Sequence, residues 1–432
     1  MLTVYSNQIS NRLEHTVKLL FSEVMNYKFS ITNNLDEFNA AKGVRINYSP
    51  LDIKDAIQII PSGLLFERSI EEKKIVLGKW ENETILFPNN GTHIPFDLLS
   101  ATFYLTSRYE EYINMKRDHY NRFLPEESIA FKNDFLERPL VNIWAQKLQE
   151  VIAKFFPVSA IPERKYEFVA TIDVDNAYAY KEKGMVRTLG ALSRSILIFD
   201  FKDFVNRFKC LLGLTPDPFD SFDRQLEFQK KYGFKAVYFF LVGDYGLNDK
   251  NVPISSRKFQ SLIKHVGDYA SVGVHPSFAS NEEPERVKME MDRLAKVVHV
   301  PITKSRQHFL TLSFPNTYKT LIENGITDDY TMGYAAKMGF RASICSPYSY
   351  YNLLDEQEEA LTVHPFAIME ATIRHYMNKP EEQAMSYMLP IIEQVKKVKG
   401  TLNVVWHNDS LSELSPWEGW SGLYEKMVIA AV

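Results

Sequence analysis

The alternation of apolar and polar positions changes character about a third of the way along the chain. Up to roughly residue 157, helix-period stretches (residues 8–27, 95–114 and 133–156) surround extended pieces such as GVRINYS and the run KKIVLGKWENETILF, which reads as a hairpin. This predicts a mixed α+β unit. Beyond it, short apolar runs (YEFVATIDVD, VYFFLVGD, SVGVHP, a run ending in SRQHFL, GFRASICSP, ALTVHPF, TLNVVWHND) alternate with helical patterns such as SSRKFQSLIKHVGDYA and EEPERVKMEMDRLAKVV. A long helix is expected from Pro380 to about Lys399. Strands and helices at this pitch predict a parallel sheet, and seven or eight strand candidates favour a closed or nearly closed (β/α) barrel over an open sheet. Two prolines in FFPVSAIPERKYEF separate the textures, so the expected domains are 1–160 and 161–432.

Polar residues gather where the expected strands finish. Asp173 and Asp175 follow the first, Asp244 the second, His275 the third, and Arg306 and His308 lie near the fourth; Asp328, Asp329, Arg341, His364 and His407 come later. In a parallel β/α barrel the carboxyl ends of all strands meet on one face, so these groups would converge. Carboxylate plus imidazole suits a divalent ion, zinc first, with cobalt, nickel, manganese or iron as alternatives. A second carboxylate could then take a proton from a metal-bound water. Read singly, each residue has a plain structural role open to it: the paired aspartates as a helix cap, His275 as a loop histidine before proline, Arg306 and His308 as a packed ionic group.

Composition narrows the field. A chain of 432 residues that is 45% hydrophobic can bury two moderate cores, and 50 basic against 54 acidic residues show no basic excess that would speak for nucleic acid. Cys210 and Cys345, the two cysteines, stand far apart without metal-ligand spacing, which speaks against a disulfide framework or a zinc finger. The first twenty residues lack a secretory pattern and no apolar run reaches ~18 residues, so a cytoplasmic protein without a transmembrane segment is expected.

On these residues, the region from about 165 to 432 resembles the polysaccharide deacetylase superfamily, the NodB-homology domain of carbohydrate esterase family 4. The resemblance implies a distorted (β/α)7 barrel, here preceded by the smaller α+β domain. TIDVD is similar to that family's first motif, which implies Asp173 as catalytic base and Asp175 as metal ligand. SVGVHPSFAS lies where the family carries two histidines four residues apart. His275 matches the first, but Ala279 stands at the second, leaving the remaining ligand to His308, to a water, or to none. Arg306 resembles the arginine that orients the base, and WHND the last motif, which implies His407 as general acid with His364 in VHPF as rival. The whole chain also resembles a bacterial group in which an uncharacterised N-terminal domain, with a stretch like IPFDLLSATFYLTSRYEEY, precedes the deacetylase-like one.

The implied activity is hydrolysis of an N-acyl group, acetyl above all, from an amino sugar or glycan precursor, with Asp329, Tyr348 and Trp406 as candidate substrate contacts. The rival reading is an inactive deacetylase-like barrel that binds glycan or scaffolds a surface-polysaccharide assembly, and Ala279 is its main support. The absence of an export pattern favours a cytoplasmic lipid-linked or nucleotide-linked sugar over a finished wall polymer. Phe96 to Tyr112 reads as a single helix. Arg108, Glu110 and Glu111, like Asp118, His119 and Arg122, read as surface or interdomain ion-pair clusters.

Overall fold

A computed structural model of the chain describes residues 1–157 and 162–432. The expected boundary at 160/161 lies outside the described residues.

The N-terminal part is built on four parallel strands, β1 (Leu2–Tyr5), β2 (Phe29–Thr32), β3 (Val44–Asn47) and β4 (Ile57–Gln58), in the order β2-β1-β3-β4. The expected hairpin forms from β5 (Leu77–Trp80) and β6 (Glu83–Leu86). The single helix expected from Phe96 to Tyr112 is two, Leu98–Thr106 and Tyr109–Ile113. It breaks at Arg108, which takes a left-handed φ of 56° and directs its guanidinium onto Glu110 and Glu111.

The second part holds nine strands: β7 (Glu167–Val174), β8 (Lys235–Phe240), β9 (Ser271–Val274), β10 (Lys304–Ser305), β11 (Asp328–Asp329), β12 (Tyr348–Asn352), β13 (Gln357–Val363), β14 (Ile368–Met369) and β15 (Thr401–His407). Their order is β12-β13-β11-β10-β9-β8-β7-β15-β14, parallel throughout except for β12 at one edge. β7 and β15 are central and covered on both faces, so β7 is buried at every position after Glu167 and β15 at every position before His407.

This sheet is strongly curled. The rings of Phe239 on β8 and Tyr330 just after β11 lie 5.3 Å apart, although three strand spacings, about 14 Å in a flat sheet, separate their strands. Val169, Val237, Phe239 and Tyr330 form an inner cluster, while the alternate residues Phe168, Ala170, Ile172 and Val174 join the main core beneath the helices. Gly273 permits the curl, because a Cβ there would stand 2.6 Å from the Phe239 ring.

The expected barrel is not closed by hydrogen bonding. Among the described residues no ladder joins β14 to β12 or β13. The irregular stretch 330–342 crosses that gap, with the Phe366 amide donating to Met332 O and the Gly339 amide to Ala367 O. GFRASICSP is not a strand either. Its polar backbone is spent on the helix Leu140–Phe155: Val141 N donates to Ser343 O (3.1 Å), and Cys345 N to Asn142 Oδ1 (2.9 Å).

The two parts share a core and a buried ionic knot. Glu111 accepts from Arg341 at 2.6 and 2.9 Å and from Arg108 at 2.8 Å, and neither Glu111 nor the two arginines reach solvent. Among the described residues no helix is long and apolar enough to cross a membrane.

Candidate functional site

Parallel strands finish on the same edge, so β7, β9, β10 and β15 deliver their last side chains to one place. Three of them meet there. Asp175 Oδ1 lies 3.2 Å from His275 Nε2 and its Oδ2 3.5 Å from His308 Nε2, and one ligand atom from each residue falls within 4.8 Å of the others. The outer nitrogens fix both rings. His275 Nδ1 donates to Arg306 O (2.6 Å), and His308 Nδ1 to Asp249 (2.8 Å), whose carboxylate is itself held by the Phe278 and Ala279 amides. Both Nε2 atoms therefore turn toward Asp175.

This arrangement fits a divalent ion. Two imidazole Nε2 atoms and a carboxylate face one another, and the buried Asp175 Oδ1 has no hydrogen-bond donor, so the three offer ligand atoms to a cation, with protons on the rings as its competitors. The same electrostatics show in His308: burial works against its charge, but Asp175 and Asp249 outweigh burial and push its pKa up to about 9. The second histidine absent at Ala279 is thus replaced from β10, and Ala279 instead contributes its amide to Asp249.

Asp173, also at the end of β7, is buried and sits beside this cluster. Its Oδ1 accepts from Arg306 Nη1 (2.9 Å), and its Oδ2 lies 4.0 Å from His275 Nε2 and 4.0 Å from His407 Nε2. Arg306 is completely enclosed: Thr171 Oγ1 and Tyr330 O take two of its hydrogens, and the rings of Phe239 and Phe366 flank the guanidinium. His407 closes the far side. Burial opposes its charge, yet Glu370, with Asp175 and Asp173 further off, holds its pKa well above the ordinary imidazole value.

Asp173, Asp175, His275, His308 and His407 line a cavity of about 290 Å³ whose opposite wall is apolar, formed by Leu310, Ala335 and Met369. Phe309 and Leu310 take positive φ of 60° and 57°, a costly conformation for bulky residues, and this sharp turn returns Leu310 to the pocket directly after His308. The N-terminal part reaches the mouth as well. Arg122 lines the cavity, paired with Asp118 (2.7 Å) and donating to Phe309 O and the Tyr376 hydroxyl.

Asp173, Asp175, His275, Arg306, His308 and His407 are thus brought together, and the other candidates are not. His364 pairs with Asp328 (2.8 Å) and stacks on Tyr330, in a recess among the beginnings of β7, β8, β9 and β15, at the opposite end of the strands. Asp329 is buried and bonded to Ser305 and Thr331. Tyr348 is buried on the edge strand β12, and Trp406 points to the outer face against Trp420 and Tyr424, since neighbours of His407 in a strand face the other way. Asp244 makes surface pairs with Arg286 and Arg293, and Arg341 belongs to the interdomain knot. Sequence reading missed Asp249 and Glu370. Glu370 ends the apolar run FAIME, a strand-end carboxylate that could have been noticed; Asp249 sits in the loop GLNDKN and has no local signal.

A protein-family model described as a family of unknown function (DUF7033) matches residues 2–157. No curated protein matches the chain. Similar solved structures include a protein assigned as a polysaccharide deacetylase from Mycobacterium smegmatis, at 13% identity over 63% of this chain and 87% of that one, with a TM-score of 0.39. A polysaccharide deacetylase from Bacillus cereus aligns at 12% identity over 62% and 85% of the two chains, with a TM-score of 0.31. A CE4 family pseudoenzyme from Bacillus anthracis aligns at 11% identity over 61% and 60%, with a TM-score of 0.30.

Proposed function

We propose that the chain is a metal-dependent amide hydrolase that removes an N-acyl group, acetyl above all, from an amino sugar or glycan precursor. The carrying observation is the position of Asp173, whose Oδ2 stands 4.0 Å from a histidine of the three-ligand cluster on one side and 4.0 Å from His407 on the other. Asp175, His275 and His308 would hold the ion, zinc first among the candidates. When bound, such an ion supplies polarisation of the amide carbonyl and a water acidified from 15.7 to about 7.

The chain's own groups divide the proton work. Asp173, kept oriented by Arg306, accepts the proton of the attacking water. His407, held protonated by Glu370, donates to the departing amine. Leu310, Ala335 and Met369 offer an apolar wall to a short acyl group, and a cavity of about 290 Å³ suits one sugar ring better than a run of them. Ala279 had favoured an inactive, glycan-binding barrel; with His308 turned to Asp175 that deficit is made good, which supports the enzyme. We further read the curled sheet as a distorted (β/α)7 barrel, residues 1–160 as a separate N-terminal domain, and the substrate as a precursor met on the cytoplasmic side.

Elemental analysis of the purified protein, with Asp175→Ala and His275→Ala alongside, tests this. About one zinc or similar ion per chain, lost in both variants, together with amine release from N-acetylated sugars, is expected. No metal in any preparation, and no uptake on adding it, would overturn the mechanism.

A further inference from the structure

After β7 the chain leaves the body as two helices, Met185–Leu197 and Phe201–Leu211. Their sidedness is the reverse of helices laid on a protein core. The inward sides are polar: Ser195 Oγ bonds to Asp203 Oδ2 (2.6 Å), Asp203 also receives the Tyr180 hydroxyl (3.1 Å), and Arg207 pairs with it at 3.2 Å while lying over the Tyr180 ring. Arg187 lies over Tyr245 and donates to Asn251 O.

The outward sides are apolar. Met185, Leu189 and Ile196 form one exposed stripe at helical spacing, and Phe201, Val205, Phe208 and Leu212 form another. The turn between them adds Leu197, Ile198 and Phe199, with Leu197 and Phe199 exposed at 77% and 78%. Monomeric soluble proteins rarely carry so concentrated an apolar surface without something that covers it.

Charge indicates the occupant. Between Lys181 and Leu214 seven basic side chains meet three acidic ones, in a chain whose net charge is −4. The exposed Lys202 and Lys209, two helical turns apart, flank the phenylalanine stripe, and Arg194 is exposed on the other helix, whereas Asp203 is turned inward and bound by Arg207. A second copy seated here would set Lys202 and Lys209 of one chain against those of the other, which is unfavourable. An anionic bilayer surface satisfies both the apolar stripes and their basic margin.

We infer that this helical pair is a docking element that lies in the surface of an anionic lipid bilayer without crossing it. The pair springs from the same sheet edge as the site, and Lys183 at its base bonds to Asn176, the residue after Asp175. Docking therefore anchors the chain at the lipid–water boundary through the segment that leaves the end of β7, next to Asp175. On the hydrolase reading, on which this last step rests, the substrate class is an N-acylated sugar headgroup carried on a lipid.

Co-sedimentation of the full chain with vesicles tests the docking independently of any activity. The protein should pellet with phosphatidylcholine vesicles containing phosphatidylglycerol, less so at high salt, and weakly with phosphatidylcholine alone. Leu189→Ser/Phe199→Ser/Phe208→Ser should abolish pelleting, and Lys202→Glu/Lys209→Glu should weaken it by at least about thirtyfold, with metal content unchanged in both. The lysine pair, exposed and unburdened by packing, carries the test if the triple variant does not fold. Failure to pellet with either vesicle, pelleting unaffected by the lysine pair, or a dimer in light scattering that Phe199→Ser dissolves without any vesicle binding would each overturn the inference.

Discussion

One carboxylate oxygen of Glu370 holds His407 twice: Oε1 lies 2.8 Å from the imidazole Nδ1 and 2.7 Å from the backbone amide of the same residue. Glu370 is fully buried, so this geometry has no water to compete with it. The pair sets both the direction of the ring and its charge.

Glu370→Gln keeps the shape and removes the charge that sustains a protonated His407. The turnover number should fall by about 10² with little change in KM, and the alkaline limb of the pH–rate profile should move down. A thermal melt close to the parent's would separate this from a folding defect.

Asp249→Asn should loosen the His308 ring without removing a ligand. Metal affinity, measured by competition with a chelator of known strength, is expected to drop by about 10- to 100-fold. An unchanged affinity would place His308 outside the ion's ligand set.

Arg306→Leu would leave Asp173 buried with its principal partner gone. Breaking an enclosed pair in this way costs about 3–5 kcal/mol, so the urea midpoint should fall sharply and hydrolysis should cease.

Acid stability carries a signature from the other end of the sheet. Burial opposes the charge on Asp328, but His364, Thr327 and Lys304 outweigh it and hold the pKa down at about 2, below the ordinary 3.8. A depressed carboxylate contributes stability that is present in full above its unfolded value and is lost as pH falls from there through the folded value. Between about pH 4 and 2 the parent should therefore lose on the order of 1 kcal/mol more than Asp328→Asn, the figure being reduced for the carboxylate's partial exposure.

The site was legible in sequence where a strand end and its chemistry are neighbours. TIDVD, SVGVHP and VVWHND each place a ligand or proton carrier directly after an apolar run, and SRQHFL does so for Arg306 and His308. Asp249 acts through a partner 59 positions away and no local pattern marks it, whereas Glu370, 37 positions from His407, shows in sequence only as the carboxylate that closes FAIME. β11 is two residues long, too short to display which of Asp328 and Asp329 faces inward, and His364, directly after β13, has in sequence the same strand-end setting as His275 and His407. Trp406 could have been set aside from sequence alone, because it adjoins His407 in an alternating strand. GFRASICSP misled because an apolar run that packs on a helix has the same composition as one that joins a sheet. Closure of the sheet was not readable, since it depends on how far the strands curl.

The knot of Arg108, Glu111 and Arg341 has a consequence for how this chain can be inherited or engineered. Two of its charges come from the first part and one from the stretch that crosses the open side of the sheet, and each would be stranded in a dry interior if the halves were separated. A recombination event, natural or in a shuffled library, that joined the first part to a foreign second part would succeed only if the newcomer brought an arginine to the same spot. The junction near residue 160 is therefore a seam in the sequence across which parts cannot be exchanged freely.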